Sequence, residues 1–333
     1  MISDLEIVLS QSPQLPIFLH IVVLGYGKFQ QTTQQCLASL IKELTRTDLK
    51  VTVIDNGSPD DSATLQSQHL QQYPEVQSVI LPSNLGFAGG MNHGVRLKDA
   101  EWVLLLGSDT ILSPNAIDIL YQHLYTLDAT IGIVGPVTNE AGNTQKLDID
   151  AQLPEEFFNE FQKLFPVATN LQTPIYRADF FCVAIRKSLW DQLNGLDMSY
   201  GRGYYEDFDF CMRGKMLGFE VVMLEDMFVF HAGSVSFKSD PEQKQLIKNN
   251  KKIFRRKFPQ AQLRHRRLDN LLVLKYYLNL PLNRLMVKEV QNRILMRLNM
   301  AENDYPRSFW KKWFWKNRVK KMREQFKQLG LNL

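Results

Sequence analysis

Val51-Thr52-Val53-Ile54-Asp55-Asn56-Gly57-Ser58-Pro59 is the stretch on which the fold turns. Four apolar or β-branched residues end abruptly at an Asp and a cluster of turn formers, which is how a buried strand meets a loop. The same pattern recurs on both sides of it. Upstream, Ile21-Val22-Val23-Leu24 is a second apolar run, and Cys36, Leu37, Leu40, Ile41 and Leu44 then follow at helical spacing. Downstream come helix-compatible residues to Gln72, a strand over Val76 to Leu81 and a helix after Asn84-Leu85-Gly86-Phe87-Ala88-Gly89-Gly90. A strand over Glu101 to Leu106, a helix opened by Pro114 and a strand over Ile131 to Val134 continue the series. Strands alternating with helices predict an α/β protein with a mainly parallel mixed sheet flanked by helices. Such sheets bind ligands beyond the carboxyl ends of their strands, where Asp55 and Asp109 both fall.

Periodicity weakens from about Gln145 to Pro174, where Glu155-Glu156-Phe157-Phe158 suggests a short helix within an insert. Strands are expected again over Phe180 to Ile185 and Phe219 to Leu224, with a helix over Glu206 to Leu217 closed by Gly218. Beyond Pro241 the pattern is helical and basic. Residues 242–333 hold 24 Lys and Arg against 6 Asp and Glu, a balance of +18. The whole chain carries 39 and 35, so residues 1–241 hold 15 and 29, a balance of −14. Two opposite fields predict two parts, a catalytic domain over 1–241 and a basic helical extension over 242–333. Cys36, Cys182 and Cys211 show no paired or metal-ligand spacing and read as reduced thiols in a cytoplasmic protein. No signal peptide is expected, and no run approaches the ~18–20 apolar residues of a spanning helix.

The chemistry concentrates in Glu206-Asp207-Phe208-Asp209-Phe210-Cys211-Met212-Arg213 and in Phe230-His231-Ala232-Gly233-Ser234. Three carboxylates at a helix N-terminus face the positive end of its dipole, and an ionised one can take a proton. An exposed acidic first turn, with Asp209 and Arg213 as an i,i+4 pair, is the plain structural alternative. His231 could ligate a metal or satisfy a strand end. Asp109, after Leu104-Leu105-Leu106-Gly107-Ser108, could cap a turn or give a hard oxygen ligand to Mg²⁺ or Mn²⁺. Asp55 could close an Asx turn or accept hydrogen bonds from a base or ribose. The glycines between Asn84 and Asn92 could pack a helix on the sheet or let a ligand approach the backbone.

In order along the chain, these pieces resemble family 2 glycosyltransferases of the GT-A fold, especially the rhamnosyltransferase-like branch, over about His20 to Phe237. Tyr26 followed by Thr33-x-x-Cys36-Leu37-x-Ser39-Leu40 is similar to the family's opening strand and helix, with Gly27 where Asn is usual. Asp55-Asn56-Gly57-Ser58 resembles its nucleotide-binding turn, and Asn84-x-Gly86-Phe87-Ala88-Gly89-Gly90-x-Asn92 its glycine-rich signature. Gly107-Ser108-Asp109 stands in the place of the D-x-D-like metal motif with its first acid missing. The resemblance implies nucleotide-sugar contacts from Tyr26, Asp55, Asn84, Gly86, Gly90, Asn92, Ser108 and Asp109. It implies a divalent cation (Mg²⁺ or Mn²⁺) on Asp109 and His231. Glu206-Asp207-x-Asp209-x-Cys211-x-Arg213 is similar to the family's acidic helix, which makes Asp207 the base, with Glu206 beside it. His231-Ala232-Gly233 loosely resembles the family's final H-x-x-G-x-S, with Ser236 the serine at that spacing. The activity implied is inverting transfer of a sugar from a UDP- or dTDP-sugar to a glycan or glycolipid hydroxyl in cell-surface polysaccharide or glycolipid synthesis.

At the C-terminus, Trp315, Val319, Met322, Phe326 and Leu329 fall at 4-3-4-3 spacing with basic residues opposite. That stripe suits an anionic membrane surface at the inner face of the membrane, or packing on protein. Two rivals are a nucleotide-sugar nucleotidyltransferase and a nucleic-acid-binding protein using the basic tail. The first lacks its glycine-rich loop at Leu24-Gly25-Tyr26-Gly27-Lys28-Phe29, and the acidic first 241 residues oppose the second. No nucleic-acid partner is expected.

Overall fold

The computed structural model describes residues 17–166, 168–233 and 242–331. Ser236 and the expected boundary at residue 241 lie outside the described residues.

The chain begins with strand β1 (Leu19–Gly25), helix α1 (Thr33–Leu40), β2 (Leu49–Asp55), α2 (Ser62–Leu70), β3 (Val76–Ile80), α3 (Gly86–Val95) and β4 (Trp102–Gly107). It continues with β5 (Thr110–Leu112), α4 (Ala116–Leu124), β6 (Ile131–Val137), α5 (Pro154–Leu164), β7 (Gln172–Pro174), β8 (Cys182–Arg186) and α6 (Lys187–Gln192). Then come α7 (Glu206–Met216), β9 (Glu220–His231), α8 (Gln243–Lys257), α9 (Arg266–Leu278), α10 (Leu282–Leu285), α11 (Lys288–Asn303) and α12 (Phe309–Gln328).

The nine-stranded sheet runs β3-β2-β1-β4-β8-β6-β9-β5, with β7 beside β9. It is mixed. β1, β2, β3 and β4 pair in parallel, as does β6 with β9, whereas β8 runs antiparallel to both neighbours and β5 and β7 antiparallel to β9. Apart from the edge strand β3, the long strands are buried on both faces, which explains their unbroken apolar runs. Side chains alternate between the two cores: Leu19, Ile21 and Val23 of β1 join one, Val22 and Leu24 the other. The short strands β5 and β7 carry too few residues to show period 2, and β9 extends well past the expected Leu224 to His231.

The core that holds Val22, Leu105 and Val183 also holds Leu271, Leu274, Ile294 and Leu298 of α9 and α11, and Trp315, Val319, Met322 and Phe326 of α12. The stripe read from the α12 spacing is therefore packed against protein, with Trp315 Nε1 donating to the Ala301 carbonyl at 2.7 Å. Charged joints reinforce this contact. Glu225 on β9 is ion-paired with Arg293 and accepts from Tyr277, with Arg297 at 3.8 Å, and all three charged side chains are at most 2 % exposed. Lys257 of α8 reaches Asp197 at 2.6 Å and also pairs with Asp209. Among the described residues, no helix is long and apolar enough to cross a membrane.

Candidate active site

A cavity of about 600 Å³ opens beyond the carboxyl ends of β1 and β4. Tyr26, Asn84, Ser108, Asp109, Glu206, Asp207 and His231 all line it. Asp109, Asp207 and His231 thus share one cavity despite their distance along the chain.

Strand pairing explains the first contact. Thr110 of β5 is in register with His231 of β9, so Asp109, one residue earlier, stands beside the imidazole. Its Oδ2 lies 3.5 Å from His231 Nε2. Nδ1 of that ring sits 2.8 Å from the Glu140 carbonyl and donates to it, which turns Nε2 toward Asp109. Phe181 stacks on the ring at 5.1 Å, and Asn139 holds the His231 backbone from both sides, accepting at 2.8 Å and donating at 3.0 Å. Burial alone would lower the His231 pKa, but the Asp109 carboxylate and the Glu140 carbonyl outweigh it and the net shift is upward.

Among the described residues, no group of three or more His, Cys, Asp or Glu could hold a metal ion. The donors present nevertheless suit a hard cation that takes its remaining ligands from substrate and water. They are one carboxylate oxygen and one imidazole nitrogen 3.5 Å apart, with the second ring nitrogen fixed by a carbonyl as metal-bound histidines require.

α7 supplies the acids. Tyr204 and Tyr205 precede it at φ 72° and 79°, a conformation non-glycine residues rarely adopt, and the turn aims the helix N-terminus into the cavity. Asn250 of α8 braces that turn by donating to the carbonyls of Tyr200, Gly203 and Tyr204 at 2.7–2.9 Å. Asp207 Oδ2 accepts from Arg177 at 3.1 Å, and the guanidinium, which also pairs with Asp179, lies 4.0 Å from the Phe208 ring centre. Glu206 is buried, its Oε2 has no hydrogen-bond partner among the described residues, and burial followed by the Asp207 charge pushes its pKa up to about 8. The two neighbouring acids are thus differently disposed, Glu206 holding its proton near neutrality and Asp207 paired with a cation. Asp209 points away, buried between Arg213 and Lys257, as the i,i+4 alternative anticipated.

Four expected nucleotide contacts stand behind the cavity wall. Asp55 is 2 % exposed and closes its own turn, accepting from both the backbone N–H and the hydroxyl of Ser58, three residues on, the first at 2.9 Å. The next residue, Asn56, lines the cavity in its place and is clasped to Asn84 at 3.2 Å. Gly86 has φ 71°, and a Cβ there would come 2.2 Å from the Gly201 carbonyl oxygen. A Cβ on Gly90 would meet Leu24 at 2.5 Å. Both glycines serve close packing. Asn92 is buried and clips the Leu196 backbone, donating to its carbonyl and accepting from its N–H, each at 2.8 Å. These residues shape the wall from behind.

Arg177, Asn139 and Arg202, the last on the cavity lining, were not anticipated. Arg177 lies just past the weakly patterned insert and carries no local signal. Asn139 and Glu140 follow the carboxyl end of β6, so the rule that ligands gather at strand ends could have found them.

Residues 20–193, just over half of the chain, match Glycosyl transferase family 2, and the chain belongs to that family. Among curated relatives, it is 26 % identical over 99 residues to glycosyltransferase GlyG of Streptococcus pneumoniae, covering 30 % of this chain and 33 % of that protein. It is 33 % identical over 85 residues to chondroitin synthase of Escherichia coli, 26 % of this chain and 12 % of that one. The matched region thus spans a third or less of these two relatives. Mannosyltransferase PcManGT from Pyrobaculum calidifontis, solved with GDP-Man and Mn²⁺, superposes with a TM-score of 0.54 at 15 % identity, over 96 % of this chain and 86 % of that one. GalNAc-T7, solved with UDP, GalNAc and Mn²⁺, gives 0.51 at 14 %, over 65 % and 44 %. The fold is GT-A, a mixed sheet flanked by helices.

Proposed function

We propose that the protein is an inverting glycosyltransferase that moves a sugar from a nucleotide-diphosphate donor to a hydroxyl acceptor. The observation that carries this reading is the meeting of Asp109, His231 and Asp207 around one cavity in a chain of this family. Asp207 accepts the proton of the acceptor hydroxyl. The acceptor oxygen bonds to the anomeric carbon as the bond from that carbon to the diphosphate breaks, and the electron pair leaves with the nucleoside diphosphate. Attack from the face opposite the leaving group inverts the centre, and a positioned base supplies about 10²–10⁴-fold in rate. Arg177 holds one oxygen of Asp207, and a carboxylate keeps acceptor sites beyond those that Arg177 and the Phe208 N–H occupy.

A divalent cation, Mg²⁺ or Mn²⁺, would be held by Asp109 and His231 and would neutralise charge on the departing diphosphate. The single acid in Gly107-Ser108-Asp109 supports the rhamnosyltransferase-like branch, with UDP- and dTDP-sugars as the donors to test and a glycan or glycolipid as acceptor.

Asp207→Asn is the test. Transfer should fall by at least about 10²-fold while nucleotide binding, measured by calorimetry, is unchanged. Lost nucleotide affinity with retained turnover would overturn the assignment.

A further inference from the structure

The buried stripe of α12 leaves its other side outward, and over the first two turns that side carries exposed aromatic rings. Phe309, Trp310, Trp313 and Phe314 follow i, i+1, i+4, i+5 and so share one face, roughly opposite Trp315, Val319, Met322 and Phe326. They are 74, 68, 51 and 64 % exposed, a cluster that costs solvation unless something covers it. The rings touch in pairs, Phe309 with Trp310 at 5.4 Å and Trp313 with Phe314 at 4.9 Å, both edge to face. Lys316, Lys320 and Lys321 continue the same face into the next turns and are exposed. Over its 20 residues α12 carries eight Lys and Arg and a single carboxylate, Glu324.

We propose that this second face of α12 docks on an anionic phospholipid surface, with the four aromatic rings entering the interfacial layer and the lysines meeting headgroup phosphates. Amphipathic aromatic rings favour the boundary between water and acyl chains, and a basic helix face adds attraction to negative lipid. Charge favours this occupant over a second copy. A two-fold contact through the same face would bring together two helices of net charge 8 − 1 = +7 each. The buried stripe and the Trp315 bond to Ala301 fix the helix on the body of the protein, so the rings are presented as a rigid edge. None of the four rings lines the cavity, and the inference needs no assumption about sugar transfer.

Flotation of the full chain with phosphatidylcholine vesicles, with and without phosphatidylglycerol, tests it. Binding should require the anionic lipid and weaken with salt. Trp310 and Trp313 emission should shift to the blue on binding and be quenched by bromine-labelled acyl chains, a signal that the W310F/W313F variant loses. Phe309→Ser with Phe314→Ser should weaken binding at least about tenfold. Lys316→Gln, Lys320→Gln and Lys321→Gln together should weaken it about a hundredfold, at about fivefold per charge. All these positions are exposed, and an unchanged circular dichroism spectrum verifies the fold. Equal flotation by wild type and variants would overturn the proposal. So would a dimer that the serine variant dissociates in the absence of vesicles, or binding to a single-stranded oligonucleotide with none to vesicles.

Discussion

Glu225→Gln should be among the most destabilising conservative substitutions in this protein. The wild-type carboxylate is 2 % exposed, is ion-paired with Arg293, has Arg297 at 3.8 Å and accepts from Tyr277. Glutamine fills the same space and keeps a hydrogen-bonding end, but it leaves two guanidiniums at 1 % and 0 % exposure without their counter-charge. Breaking a buried pair from one side costs about 3–5 kcal/mol. Against a total of about 5–15 kcal/mol, that is a large share. Urea unfolding followed by circular dichroism should show a lower midpoint with an unchanged slope, since the surface exposed on unfolding is the same. Adding Arg293→Met should recover part of the loss, because the stranded charge goes with it, and the double-mutant cycle should give a coupling of at least about 1 kcal/mol. Acid should have a related effect. Burial would raise the Glu225 pKa, yet Arg293 and Arg297 more than offset it and hold the group below its ordinary 4.5. Its contribution is therefore fully present above about pH 4.5 and is lost as pH falls through the folded value. A cost below about 1 kcal/mol for Glu225→Gln would refute the claim that this cluster fastens the C-terminal helices to β9.

Glu206 reverses that sign. Its folded pKa of about 8 lies above the ordinary 4.5, so stability drains as pH rises between the two, and Glu206→Gln should raise the melting temperature at about pH 9 and flatten its pH dependence; parallel wild-type and variant curves would count against it. Gly86→Ala should cost at least about 1–3 kcal/mol from the positive φ alone and more from the 2.2 Å approach to Gly201, read by thermal unfolding; a neutral result would mean that the loop yields. Arg177→Met should lower kcat at least about tenfold with little change in donor KM, and Arg177→Lys should restore part of it, because Arg177 orients the base and is not proposed to bind the donor; a change confined to KM would place it on the donor instead.

The alternation of strands and helices was legible because a sheet buried on both faces writes long apolar runs, and β1, β2 and β4 are such runs. The antiparallel strand β8 reads the same way, and its direction is set by the chain's return rather than by its residues. α12 carries two kinds of apolar signal. The stripe ending at Leu329 has the strict spacing that a sequence reading rewards, and it is core. The exposed aromatics lack that spacing and lie where a reading of the pattern sees only basic, Trp-rich chain. Charge was legible as asymmetry but not as purpose. Part of the surplus of the basic extension neutralises the acidic half directly, through Arg293 on Glu225 and Lys257 on Asp209 and Asp197.

At the site, the residues a sequence can find are those whose chemistry is unusual for their place. Asp109 after an apolar strand, two acids at a helix start and a His at a strand end all meet that test, and all four line the cavity. Asp55 meets it as well, yet its carboxylate closes its own turn and Asn56 takes the wall. Side-chain reach is the difference: Ser58, three residues on, offers both its N–H and its hydroxyl, so a local partner competes for the carboxylate before any ligand arrives. Arg177 and Asn139 fail the test from the other side. An Arg or an Asn in a loop is ordinary, and each gains its role only through partners 30 and 92 residues away. Local sequence can therefore nominate the groups that carry charge at this site, whereas the groups that aim them are fixed by strand register and loop packing and become visible only in three dimensions.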